Sequence, residues 1–82
     1  MVNVIFDTHF ERTIRKIHND AIKERLIKQI KRIVENPEIG KPMKYGRKGT
    51  RELYIPPFRL SYFYNEKKNC ILFLDFYHKD MQ

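Results

Sequence analysis

Phe58-Arg59-Leu60-Ser61-Tyr62-Phe63-Tyr64-Asn65-Glu66-Lys67-Lys68-Asn69-Cys70-Ile71-Leu72-Phe73-Leu74-Asp75-Phe76-Tyr77 is the stretch that decides the fold of this chain. Two runs rich in aromatic and aliphatic residues flank the polar connector Asn65 to Asn69, which is the pattern of a β-hairpin. Strand alternation then assigns faces. Phe58, Leu60, Tyr62 and Tyr64 share one side of the first run, and Cys70, Leu72, Leu74 and Phe76 one side of the second. These are the expected core-facing residues. The opposite side carries Arg59, Ser61 and Phe63, then Ile71, Phe73, Asp75 and Tyr77, with Lys79 just past the strand. A half-open face of this kind fits a nucleotide, because bases stack on aromatic rings and phosphates pair with cations. Equally, Arg59 could pair with Asp75 while the aromatics complete the packing.

Working outward, Leu53 and Ile55 alternate with Glu52 and Tyr54, and Pro56-Pro57 breaks that strand or places it at an edge. At the other end, Val2, Val4 and Phe6 alternate with Asn3 and Ile5, a short first strand. Thr8-His9-Phe10-Glu11 has the form of a capping box, and Phe10, Ile14 and Ile17 follow at helical spacing. Asn19 and Asp20 interrupt that helix and can cap a second. Ile22, Leu26, Ile30, Ile33 and Val34 form its apolar stripe, and Asn36-Pro37 ends it, because the residue before proline avoids the helical region. From Pro37 to Gly49 the chain reads as loop, with room for a short strand around Met43 to Arg47. The expected fold is therefore α+β in the order β-α-α-β-β-β: a small antiparallel sheet with a two-helix hairpin packed on one face.

Eighty-two residues make one domain, 1–82, with no space for a second core. The lone Cys70 excludes an internal disulfide and fits a reducing, cytoplasmic setting. No Cys/His pair has zinc-ligand spacing, so neither metal nor cofactor is expected. No apolar run approaches the ~20 residues of a membrane helix, and the N-terminus does not read as a signal peptide.

The net charge of +7 attracts polyanions and makes RNA the first partner to consider. Many lysines and arginines solvate the predicted helices. The loop Lys41-Pro42-Met43-Lys44-Tyr45-Gly46-Arg47-Lys48-Gly49-Thr50-Arg51 differs, because it has no acidic residue to pair with its cations. A second cluster, Tyr77-His78-Lys79, closes the last strand. His78 is the only side chain there whose ordinary pKa lies near neutrality, which makes it a candidate acid or base. His9 and His18, near the helix ends, read as structural or solvated.

In order and spacing, Gly40-Lys41-Pro42-Met43-Lys44-Tyr45, Gly49-Thr50-Arg51-Glu52-Leu53, Phe58-Arg59-Leu60-Ser61-Tyr62 and Tyr77-His78-Lys79-Asp80 together resemble the RelE/ParE superfamily of toxin–antitoxin toxins. The resemblance covers essentially the whole chain and implies the compact microbial RNase fold. It implies one of two activities. RelE-like members cut mRNA in the ribosomal A site and are neutralised by a RelB-like antitoxin. ParE-like members poison DNA gyrase, and a degenerate module that only binds its antitoxin is a further alternative.

By the same resemblance Arg59 matches the strand arginine that contacts the substrate phosphate, and Lys79 the basic residue that stabilises charge after the last strand. Tyr77 would stack on a base or orient the phosphate. Lys44, Arg47 and Lys48 fall where lysines grip mRNA and ribosomal RNA, and Arg51 matches the arginine before the leucine of the middle strand. The histidine-bearing end is similar to the YoeB and HigB branches, for whose acidic base Glu52 is a loose candidate. Tyr54 stands where many members carry a second strand arginine, and the chain ends at Gln82 without the tyrosine often found beyond the basic turn.

Overall fold

The computed structural model describes residues 2–43 and 49–81. They form β1 (Asn3–Phe6), α1 (Thr8–Arg15), α2 (Asp20–Glu35), β2 (Lys41–Pro42), β3 (Thr50–Ile55), β4 (Phe58–Asn65) and β5 (Cys70–His78), followed by a 3₁₀ turn, Lys79–Met81. One sheet takes all five strands in the order β1-β5-β4-β3-β2. The α+β class and the helix hairpin are as expected, but the sheet is mixed. β1 lies parallel to β5, while the other three pairings are antiparallel. Alternation in a sequence reports which face of a strand is buried, not which way the strand runs.

Helix starts follow local capping chemistry. Asp7, not Thr8, caps α1: its carboxylate accepts the His9 N–H at 3.0 Å. The expected capping box therefore does not form. A carboxylate at this position also gains from the positive end of the helix dipole. Glu11, released from the box, sits 3.7 Å from Arg15 one turn on. For α2 the expectation holds, since Asn19 accepts the Ile22 N–H at 3.1 Å and Asn36 ends the helix. A short strand forms at Lys41–Pro42, and the Met43 N–H continues its pairing to the Thr50 carbonyl; of the strand expected around Met43 to Arg47, residues 44–47 lie outside the described residues.

The core lies between the helices and the sheet. Phe10, Leu26 and Ile33 from the helices meet Ile55, Leu60, Tyr62, Ile71, Phe73 and Phe76. This corrects the face assigned to β5. Ser61 pairs with Asp75 but Tyr62 pairs with Phe73, so Leu74 is an extra residue, a β-bulge. Upstream of it the parity inverts. Ile71 and Phe73 turn to the core and are fully buried, and Cys70 and Leu72 take the half-buried positions. Downstream, Phe76 keeps the expected side.

The loop after α2 is held by Tyr62 and Arg51. The Tyr62 hydroxyl donates to the Pro37 carbonyl (2.7 Å) and accepts the Gly40 N–H (2.9 Å). Arg51 Nη1 donates to the carbonyls of Glu38 and Gly40 at 2.9 and 2.8 Å. Together they fasten the junction between α2 and β2 to the middle of the sheet.

Candidate functional site on the open face of the sheet

Register fixes which side chains meet on the face away from the helices. Antiparallel partners point to the same side, so Tyr54, Arg59 and Tyr77 form one cross-strand row, and Glu52, Ser61 and Asp75 the next. Glu52 joins the two rows. One of its oxygens takes Arg59 Nη1 at 3.0 Å, and the other accepts the Tyr77 hydroxyl at 2.5 Å. Its side chain is only 9% exposed, against 37% for Arg59, so the carboxylate stands behind the groups that face solvent. Of the two readings of Arg59, direct pairing with Asp75 is not what forms. Asp75 instead lies 3.2 Å from His9 Nε2, an imidazole brought over by the start of α1.

Tyr54 completes the cluster. Its exposed ring has Arg59 Cζ 5.7 Å and Lys79 Nζ 5.9 Å from its centroid. Lys79 is brought there by its backbone, whose N–H donates to the Pro57 carbonyl and ties the 3₁₀ turn to the β3–β4 turn. Arg25 of α2 reaches the same turn, donating to the Pro56 carbonyl at 2.6 Å.

Three of the four residues expected to do chemistry, Arg59, Tyr77 and Lys79, thus gather around Glu52 and Tyr54. The fourth does not join them. His78 belongs to β5 and pairs with Phe58, whose row faces the helix side. Its ring stands edge-on to Phe58, and its Nδ1 accepts the Asp80 N–H at 3.2 Å. Among the expected RNA contacts, Arg51 is spent on the loop carbonyls, and Lys44, Arg47 and Lys48 lie outside the described residues.

Glu52 was legible only as a loose acidic candidate, although its i, i+2 relation to Tyr54 placed both on one side of β3. What the sequence withheld was the register that sets them beside Arg59. The cluster thus sets two cations, Arg59 and Lys79, against one exposed ring, with a phenol hydrogen-bonded to a shielded carboxylate behind them.

Solved structures share this fold. A chain of the intact Escherichia coli RelBE toxin–antitoxin complex superposes with a TM-score of 0.79 at 19% identity, over 93% of this chain and 94% of that one. Isolated E. coli RelE toxin gives 0.82 at 19% identity, over 95% and 84%. The Mycobacterium tuberculosis RelBE2 toxin–antitoxin complex gives 0.80 at 21% identity, over 95% and 98%. No curated protein matches the chain. The fold is thus that of the RelE-like toxins. Residues 4–82 match the family of the ParE toxin of type II toxin–antitoxin systems, parDE, and the chain belongs to that family, within the RelE/ParE superfamily.

Proposed function

We propose that this toxin inhibits translation as a ribosome-dependent mRNA endonuclease, cutting by attack of a ribose 2′-OH with side chains supplying acid, base and charge. The observation that carries this reading is the Glu52 carboxylate shared between Arg59 and Tyr77 beside Lys79 on one solvent-facing surface. The Tyr77 oxygen takes the 2′-OH proton as its own proton passes to Glu52, and the 2′-oxygen bonds to phosphorus. Arg59 and Lys79 hold the charge that builds on the phosphorane. The bond from phosphorus to the 5′-oxygen then breaks, and Lys79 protonates the departing oxygen. The products are a 2′,3′-cyclic phosphate and a free 5′-hydroxyl. Lys44, Arg47 and Lys48, which lie outside the described residues, are assigned to gripping message and ribosomal RNA, and Arg51 contributes by holding the Glu38 and Gly40 carbonyls between α2 and β2. His78, on the other side of the strand end, is the fourth candidate, and His78→Ala tests whether turnover needs it.

The test is primer extension on a message translated by purified ribosomes. Wild type should cut, and Arg59→Ala should lose about 2–4 kcal/mol of transition-state stabilisation, as removal of one preorganised donor does. Wild-type protein that binds ribosomes and leaves the message intact overturns the reading. A second reading, inhibition of DNA gyrase, is favoured by the ParE family match and by the carboxylate that already pairs with Arg59. Loss of supercoiling activity with intact message would select it.

In either case we propose neutralisation by a cognate antitoxin. Support comes from the RelBE complexes and from the exposed Ile5, Phe6 and Ile27, apolar surface that a bound segment would cover. Co-expression with the product of the adjacent reading frame should restore growth.

A further inference from the structure

Arg59 and Lys79 both lie within 6 Å of one ring centroid, although like charges gathered in one place repel. Glu52 compensates Arg59. Among the described residues no carboxylate lies within ion-pair distance of Lys79, and the group drawn toward it is the π face of Tyr54. An exposed lysine ordinarily samples many rotamers, and ordering it costs side-chain entropy that a solvated ammonium does not recover. Its placement over an exposed aromatic beside a second cation therefore calls for a purpose.

We propose that Tyr54 is a positioning residue. Its ring gathers Lys79 toward Arg59 and so presets a two-cation clamp for a phosphodiester of single-stranded RNA. The inference rests on the nuclease reading for its ligand, but it assigns a role to a residue outside the acid–base path. Three local features serve it. Tyr54 stands directly across from Arg59 in the β3–β4 register, which puts ring and guanidinium on adjacent strands. The Lys79 backbone is fixed to the Pro57 carbonyl, so its side chain starts from a defined point. The ring is 49% exposed, which leaves room for RNA over the cations it holds.

The clamp predicts that the ring matters and its hydroxyl does not. Tyr54→Phe keeps the π face; Tyr54→Leu keeps bulk and removes it. In wild type and Tyr54→Phe, the Lys79 methylene protons should show upfield ring-current shifts in NMR spectra, absent from Tyr54→Leu. A 2′-O-methyl oligoribonucleotide, which offers no nucleophile, should bind Tyr54→Leu about five- to tenfold more weakly, while Tyr54→Phe binds like wild type. On ribosomes Tyr54→Leu should also lower kcat, because the lysine it releases holds the phosphorane charge and protonates the departing oxygen, and Tyr54→Phe should keep the wild-type kcat. The inference is overturned if the Lys79 resonances of wild type are unshifted, if Tyr54→Leu binds the oligonucleotide like wild type, or if Tyr54→Phe is as weak as Tyr54→Leu. Because the NMR arm uses the unmodified chain, it does not depend on any variant folding. Wild type that binds the oligonucleotide through the clamp but cuts no message refutes the nuclease reading and leaves the clamp standing.

Discussion

At the scale of single residues, Tyr62 shows how one side chain serves both packing and polar satisfaction. Its ring is fully buried against Phe73, and its hydroxyl closes the Pro37–Gly40 loop with one donated and one accepted bond. Gly40 is required there, because a Cβ would lie 2.5 Å from the Tyr62 oxygen. Tyr62→Phe would leave a buried N–H and a carbonyl unpaired, at a cost of about 1–3 kcal/mol near neutral pH. The phenol also couples stability to alkaline pH. Burial raises its pKa above the ordinary 10.0, and the Gly40 N–H and the Arg51 charge only partly offset this. Above that value the unfolded chain releases the proton while the folded chain keeps it, so stability falls as pH rises through the folded pKa. Urea midpoints measured from pH 8 to 11 should therefore decline more steeply for wild type than for Tyr62→Phe. Parallel decline in the two proteins would show that the buried phenol does not contribute. That Tyr62 belongs to the core was legible from alternation; that its hydroxyl reaches a loop more than twenty residues earlier was not, because only the folded register brings them together.

Among elements, β5 is where sequence and structure part. Uninterrupted alternation put Leu72 and Leu74 inward with Phe76, whereas the bulge at Leu74 makes Phe73 and Ile71 core residues. Nothing in a run of six apolar or aromatic residues broken only by Asp75 marks where an extra residue enters, since every position can be buried. The bulge is nonetheless what lets one strand serve two needs. It seats Phe73 against Phe6 and Phe10 while keeping Asp75 and Tyr77 on the open face. Phe73→Ala should then cost about 3–5 kcal/mol, the range for a large aromatic removed from a packed core, and Leu72→Ala distinctly less. Denaturant unfolding of the two variants checks this, and equal losses would argue against the shifted register. By contrast, β4 was legible throughout, because its polar residues Arg59 and Ser61 interrupt the apolar ones at regular spacing. The same regularity made the Arg59–Tyr77 side of the candidate site readable, while His78, expected as an acid or base in the closing cluster, pairs with Phe58 and so falls on the other side of the strand end.

For the whole molecule the question is which part of the +7 charge holds a ligand and which part only attracts one. Lys28 and Lys31 are exposed on α2, and α2 packs on the face of the sheet opposite Arg59 and Lys79. The Cα framework measures 22 Å along its shortest axis, and the Debye length is about 8 Å at physiological ionic strength. Cations on the far side of the helix layer are therefore screened from a phosphate on the open face, whereas Arg59 and Lys79 would touch it. At ~10 mM salt the screening length grows to about 30 Å, and the helix cations then steer encounters without touching the ligand. Lys28→Ala/Lys31→Ala should slow association with a 2′-O-methyl oligoribonucleotide at low salt and leave Kd at physiological salt within about twofold of wild type. Arg59→Ala/Lys79→Ala should weaken binding in both conditions. It should also flatten the dependence of log K on log salt by about 0.7 for each phosphate of a single strand that the protein no longer neutralises. Stopped-flow association rates and equilibrium titrations across a salt series separate the two effects. Equal loss of affinity from both double variants at physiological salt would place the ligand on the helical side and detach the open-face cluster from RNA altogether.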